Sequence, residues 1–174
     1  MTQTNFKEMF QLGQAVFLEG IKKLKEYKQM DFTYERNEMI IKKRLAVVEF
    51  VHGLELIFKA ILVKQGYEIH KIPNKKIYKR NTTISQIASP NSTVELEAVI
   101  NHFNKQYPSL KEKIKNINKL RSLRNQIIHK GTEISEKKKV YFLDAIDCIV
   151  EIYHLEDINN WSFKNKIIEA KEEI

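Results

Sequence analysis

The residue order predicts an all-α protein, a single-domain up-down helical bundle of four to five core helices, and three observations carry that expectation. Only five Gly and three Pro punctuate 174 residues, too few for the many tight turns of a β-protein. Apolar residues recur at three- and four-residue spacing over most of the chain, which is the period of one helix face. The length suits one full hydrophobic core, so residues 1–174 read as one domain, with a core over about 5–156 and a tail over 157–174.

The first helix is expected over about 5–28, with Phe6, Met9, Phe10, Leu12, Ala15, Val16, Leu18, Ile21 and Leu24 on its core face. The second, over about 37–65, is apolar on nearly every side from Leu45 to Leu62, the mark of a central buried helix. Residues 66–91 have weak periodicity, two prolines and the basic cluster Lys71, Lys75, Lys76, Lys79 and Arg80. They read as a long loop with a helical turn near 85–88, and loops of that length are usually functional. Two capping boxes, Ser92-x-x-Glu95 and Ser109-x-x-Glu112, are expected to open the third and fourth helices. Ser135 is the expected cap of a fifth helix that runs to about Glu156, and a short sixth is expected from Trp161.

The net charge is +8, and Lys105 to Lys139 alone holds eleven Lys or Arg against three Glu. The rest of the chain is balanced. A stretch that carries the whole excess would attract a polyanion with an affinity that falls as salt rises. Cys148, the single cysteine, excludes an internal disulfide and reads as core packing among Ile146, Ile149 and Val150. The five histidines have no zinc-like spacing, so no metal is expected, and no glycine-rich phosphate loop occurs, so no nucleotide cofactor is expected either. No run of about 18 apolar residues exists and the first residues do not read as a signal peptide. The expectation is a cytoplasmic protein with no membrane association.

Two helices break their apolar stripes with polar groups. At about 100° per residue, His52, Glu55 and Lys59 share the stripe of Ile41, Leu45, Val48 and Leu62 on the second helix. On the fourth, Arg121, Arg124 and Asn125 share the meridian of Leu110, Ile114, Ile117 and Ile128. Ionisable groups in such places either pair or form a site, and if the two faces meet they make a polar cleft on an apolar floor.

The fourth helix ends in Arg124-Asn125-Gln126-Ile127-Ile128-His129, followed by Lys130-Gly131. Asn125 and His129 stand at i and i+4, on one face. Gly131 fits the left-handed position just past a helix C-terminus, and the negative end of the helix dipole favours an imidazolium at His129. A cation, an amide and an imidazole together suit phosphate chemistry.

The arrangement resembles the HEPN superfamily, small all-helical domains that include metal-independent endoribonucleases of toxin–antitoxin and antiphage systems. The likeness rests on Arg124-x4-His129 with Asn125 after the arginine, on Glu55-Leu56-Ile57-Phe58-Lys59 in an early helix, and on the helix order. It implies a homodimer whose motif helices meet around one RNA phosphate, where a ribose 2′-OH attacks phosphorus to leave a cyclic phosphate and a 5′-hydroxyl. His129 would shuttle protons, Arg124 would stabilise phosphoryl charge, Asn125 would orient His129 or the phosphate, and Glu55 would hold Arg124 or share in proton transfer. Arg121, Lys59, Lys115, Lys119 and Lys130 are the candidates for contact with RNA. An antitoxin or other defence-system protein is the implied partner. Some toxins of that group carry a tyrosine two residues after the histidine, the target of adenylylation by a nucleotidyltransferase; here Gly131 stands there. The alternatives are a non-catalytic module of the same fold that binds nucleic acid, a nucleotide or a partner protein, and a DNA-binding regulator.

Overall fold

The computed structural model describes residues 6–29, 36–71, 77–79, 89–131 and 138–173. Among these residues the helices are α1 (Phe6–Gln29), α2 (Arg36–Lys64), α3 (Leu96–Gln106), α4 (Lys111–Lys130), α5 (Lys139–Leu155) and α6 (Trp161–Glu173). The all-α, single-domain expectation holds, and the tail from Trp161 is a full sixth helix. The long helices pack as antiparallel pairs: α1 lies along α2, α4 along α5, and α6 closes against α1 and α5.

Glycine sets the closeness of the first pair. A Cβ on Gly20 would stand 2.5 Å from the Phe50 amide nitrogen, and one on Gly53 only 2.3 Å from that of Phe17. The two backbones therefore touch where each helix lacks a side chain, and the Phe17 and Phe50 rings meet beside that contact with centroids 4.4 Å apart. Both rings are fully buried, each contributing about 1.5–3 kcal/mol of transfer free energy. Phe142 from α5 and Phe163 from α6 complete the cluster, which explains why α2 reads as apolar on nearly every side.

Several local expectations are corrected. Residues 66–91 are not wholly loop: β1 (Tyr67–Glu68) pairs with β3 (Tyr78–Lys79), and β2 (His70–Lys71) with β4 (Ser89–Thr93), both antiparallel. That pairing keeps the backbone extended through Thr93, so Ser92 cannot cap α3; the cap position is Glu95, with no side-chain cap hydrogen bond. Ser109 does not cap α4 either. It lies in a 3-10 turn, Pro108–Leu110, and α4 starts from Leu110. The expected turn at 85–88, the cap at Ser135, and Lys75, Lys76 and Arg80 lie outside the described residues. Leu12 is 56% exposed and leaves the core face of α1.

The α2 stripe also divides. Leu62 and Lys59 are buried beneath the segment that leads into α3, whereas Ile41, Leu45 and His52 are exposed. α3 and β4 cover only the C-terminal half of that stripe, so its N-terminal half faces outward.

Candidate functional site

The two interrupted stripes lie side by side because α2 and α4 run antiparallel. Glu55 of α2 and Arg124 of α4 face one another with Oε2 and Nη1 3.9 Å apart. Nearer the start of α2, Arg44 donates from Nη2 to the carbonyl of Gly131 at the end of α4. Gly131 has φ 60° and ψ 31°, and its N–H donates to the Ile127 carbonyl at 3.1 Å, the left-handed terminus expected of it. The guanidinium of Arg44 thus supplies positive charge at the negative end of the helix dipole.

Glu55 is shared between two cations. Lys59 donates from Nζ to its Oε1 at 2.5 Å and to Thr93 Oγ1 at 2.8 Å. Lys59 is 6% exposed, and a lysine is buried to that degree only when paired. One carboxylate therefore meets two partly or wholly buried positive groups, and the cluster keeps a net positive charge. The Nε of Arg124 and that of Arg44 are buried and make no hydrogen bond among the described residues, which leaves donor capacity along the seam for an anion.

Asn125 is half-buried and His129 exposed. They continue around α4 from Arg124, and no hydrogen bond joins His129 to Glu55, Arg124 or Asn125 among the described residues. The seam that holds Glu55, Lys59 and Arg124 is formed within one chain, whereas the imidazole stands outside it. Around the same opening Ile41, Leu45 and Ile128 are 54%, 52% and 54% exposed.

The other basic candidates are distributed. Arg121 lies beside Arg124 but is tied to Glu97 Oε2 at 3.2 Å and Asn118 Oδ1 at 2.9 Å. Lys115 pairs with Glu112 at 3.4 Å, and Lys119 turns toward α5, with Nζ 5.0 Å from the Tyr141 ring centroid. Lys130 is exposed in the last turn. Lys59 points inward, so its direct partners are Glu55 and Thr93. Cys148 is buried, and burial pushes its thiol up to about 12. His70 is bound to Glu68, His102 meets the edge of Tyr67 at 4.6 Å, and no three His, Cys, Asp or Glu residues cluster for a metal among the described residues. No helix among them is long and apolar enough to cross a membrane.

Sequence reasoning missed Thr93 and Arg44. Neither shows a local signal, since each acts on a partner far along the chain: Thr93 on Lys59 through the β2–β4 pairing, Arg44 on Gly131. No curated protein and no solved structure matches the chain. A family model described as a domain of unknown function, DUF3644, matches residues 32–161. That segment contains Arg44, Glu55, Lys59, Thr93, Arg121, Arg124, Asn125 and His129. The matched span covers most of the molecule, and the chain belongs to this family.

Proposed function

We propose that the protein is a metal-independent endoribonuclease, of the kind its likeness to HEPN domains suggests, working in a toxin–antitoxin or antiphage system. The observation that carries this reading is the shared carboxylate: Glu55 bridges buried Lys59 and Arg124 and leaves a net positive seam about one helical turn from an exposed imidazole. Arg124 draws in the scissile phosphate and offsets the charge that builds on its non-bridging oxygens. Glu55 and Lys59 hold the guanidinium against α2. Asn125 orients the phosphate or the imidazole.

In the reaction the 2′-oxygen bonds to phosphorus as the bond to the 5′-oxygen breaks. The 2′-hydroxyl loses a proton and the departing 5′-oxygen gains one. A single imidazole cannot be base and acid in the same instant, so two copies of His129 related by a two-fold axis divide the roles. Ile41, Leu45 and Ile128, apolar and uncovered beside the seam, support such an interface. The partners under this reading are RNA, a second copy of the chain, and an antitoxin or another defence-system protein; the compartment is the cytoplasm.

The test is cleavage of single-stranded RNA in a chelator. Wild type should cut, while Arg124→Ala and His129→Ala should each lose cutting and keep their helical circular dichroism. Cutting by His129→Ala at the wild-type rate, in a preparation free of other nucleases, would overturn the mechanism. A second reading, a non-catalytic module binding nucleic acid, a nucleotide or a protein, draws on the separation of His129 from Glu55 and Arg124 within one chain. Binding of RNA by wild type with no cleavage at any concentration that forms dimers would favour it.

A further inference from the structure

We propose that the groove between α4 and the start of α5 is a subsite for one nucleotide of single-stranded RNA, flanking the phosphate cut at Arg124 and His129; this rests on the nuclease reading above. The groove has a volume of about 240 Å³, below the roughly 300–1,000 Å³ of sites that enclose drug-sized ligands. It has room for a single base, not for an extended cofactor. Its floor and walls combine the Tyr141 ring, two lysines, Lys119 and Lys138, and the hydrogen-bonding side chains of Ser122 and Gln126. Those are the three components of single-strand recognition: a ring on which a base stacks, cations for its phosphate, and amides or hydroxyls for its edge.

The groove is also connected to the site. Asn118, Ser122, Asn125 and His129 stand at i, i+4, i+7 and i+11 of α4, a single stripe at about 100° per residue. Asn118 and Ser122 line the groove, and Asn125 and His129 end the same stripe. At about 1.5 Å per residue, a strand laid along it meets uncharged hydrogen-bonding groups all the way from the groove to the imidazole. Lys119, held 5.0 Å over the Tyr141 ring, covers one face of that ring. A base that stacks there displaces the ammonium toward the adjoining phosphate.

The groove is distinct from the Glu55 seam on the far side of α4, which allows the two to be tested apart. The experiment measures binding of a fluorescein-labelled single-stranded oligoribonucleotide by anisotropy, using the full chain with His129→Ala to prevent cutting. Adding Tyr141→Ala should weaken binding about tenfold, as loss of one base stack does, and Tyr141→Phe should restore it because the ring is kept. Replacing Lys119 and Lys138 by Ala should lower the slope of log affinity against log salt by about two. Parent-like affinity for Tyr141→Ala, with an unchanged salt slope for the lysine pair, overturns the subsite; if Arg124→Ala still abolishes cleavage, the nuclease reading survives it. If the His129→Ala parent binds no RNA at all, the nuclease reading fails and the subsite with it.

Discussion

Glu55 and Arg124 face each other across the antiparallel seam of α2 and α4 at 3.9 Å, while the other oxygen of the same carboxylate lies 2.5 Å from Lys59. The tighter partner is the more buried one. Lys59 fixes the carboxylate in place, and Arg124 is left at a distance where an incoming anion competes with Glu55 for its guanidinium.

That division predicts unequal costs. Glu55→Gln leaves the buried Lys59 ammonium without its counter-charge and should destabilise the fold by about 3–5 kcal/mol. Lys59→Met keeps the volume and leaves Glu55 beside Arg124, so it should cost under about 1.5 kcal/mol. Urea unfolding of the two variants checks the order; equal costs would mean that Lys59 is not held by Glu55.

Gly53→Ala places a methyl where the backbone of Phe17 stands 2.3 Å away. Neither helix can give way without opening the Phe17–Phe50 contact, and the expected loss is about 1–3 kcal/mol. Thermal unfolding should shift down by roughly 2–4 °C for each kcal/mol lost in a chain of this size. A midpoint equal to wild type would show that α1 and α2 do not pack at their glycines.

Cys148 offers a probe of core opening. Burial raises its thiol to about 12, and the nearby Glu151 carboxylate adds to the effect, so almost no thiolate exists at pH 8. A disulfide reagent should label it only in denaturant, and labelling in native buffer should be slow and limited by unfolding. Rapid native labelling would place the thiol at the surface.

Glu68 sets part of the acid limit. Burial acts to raise its pKa, but the backbone N–H and imidazole of His70 and the N–H of Ile69 outweigh it and hold the carboxyl below its ordinary 4.5. A carboxylate depressed in the folded state adds stability that is complete above its unfolded value and is lost as pH falls through the lower folded one. Glu68→Gln should therefore flatten the acid limb of a stability-against-pH curve and leave its slope near neutrality unchanged. An acid limb identical to wild type would rule out this contribution.

Much of the fold was legible because helix formation in this chain is a local matter of period and punctuation. The apolar spacing of residues 6–29 and 139–155 and the glycine after Lys130 place α1, α5 and the end of α4 to within a few residues. The polar interruptions at Glu55, Lys59, Arg124 and Asn125 were equally visible as residues that an apolar stripe cannot explain. What a helical wheel cannot state is which part of a stripe has a neighbour. Ile41, Leu45 and Lys59 share one stripe, yet the first two are exposed and the third is buried, because only the C-terminal half lies under Thr93 and α3. The failed caps at Ser92 and Ser109 have the same origin: pairing of β4 with β2, and the 3-10 turn at Pro108, outweigh hydrogen bonds that the local motif could offer.

Residue order alone settles the helices, their apolar faces and the chemical types gathered near the end of α4, since these depend on neighbours a few residues apart. The packing of whole helices chooses which charges meet. Lys59 with Thr93, Arg44 with Gly131 and Glu55 with Arg124 are separated by 34 to 87 residues, and such pairs follow from the direction in which one helix lies on another. The close approach at Gly20 and Gly53 belongs to the same class: a glycine is a gap in one helix, and only a second backbone makes the gap a contact.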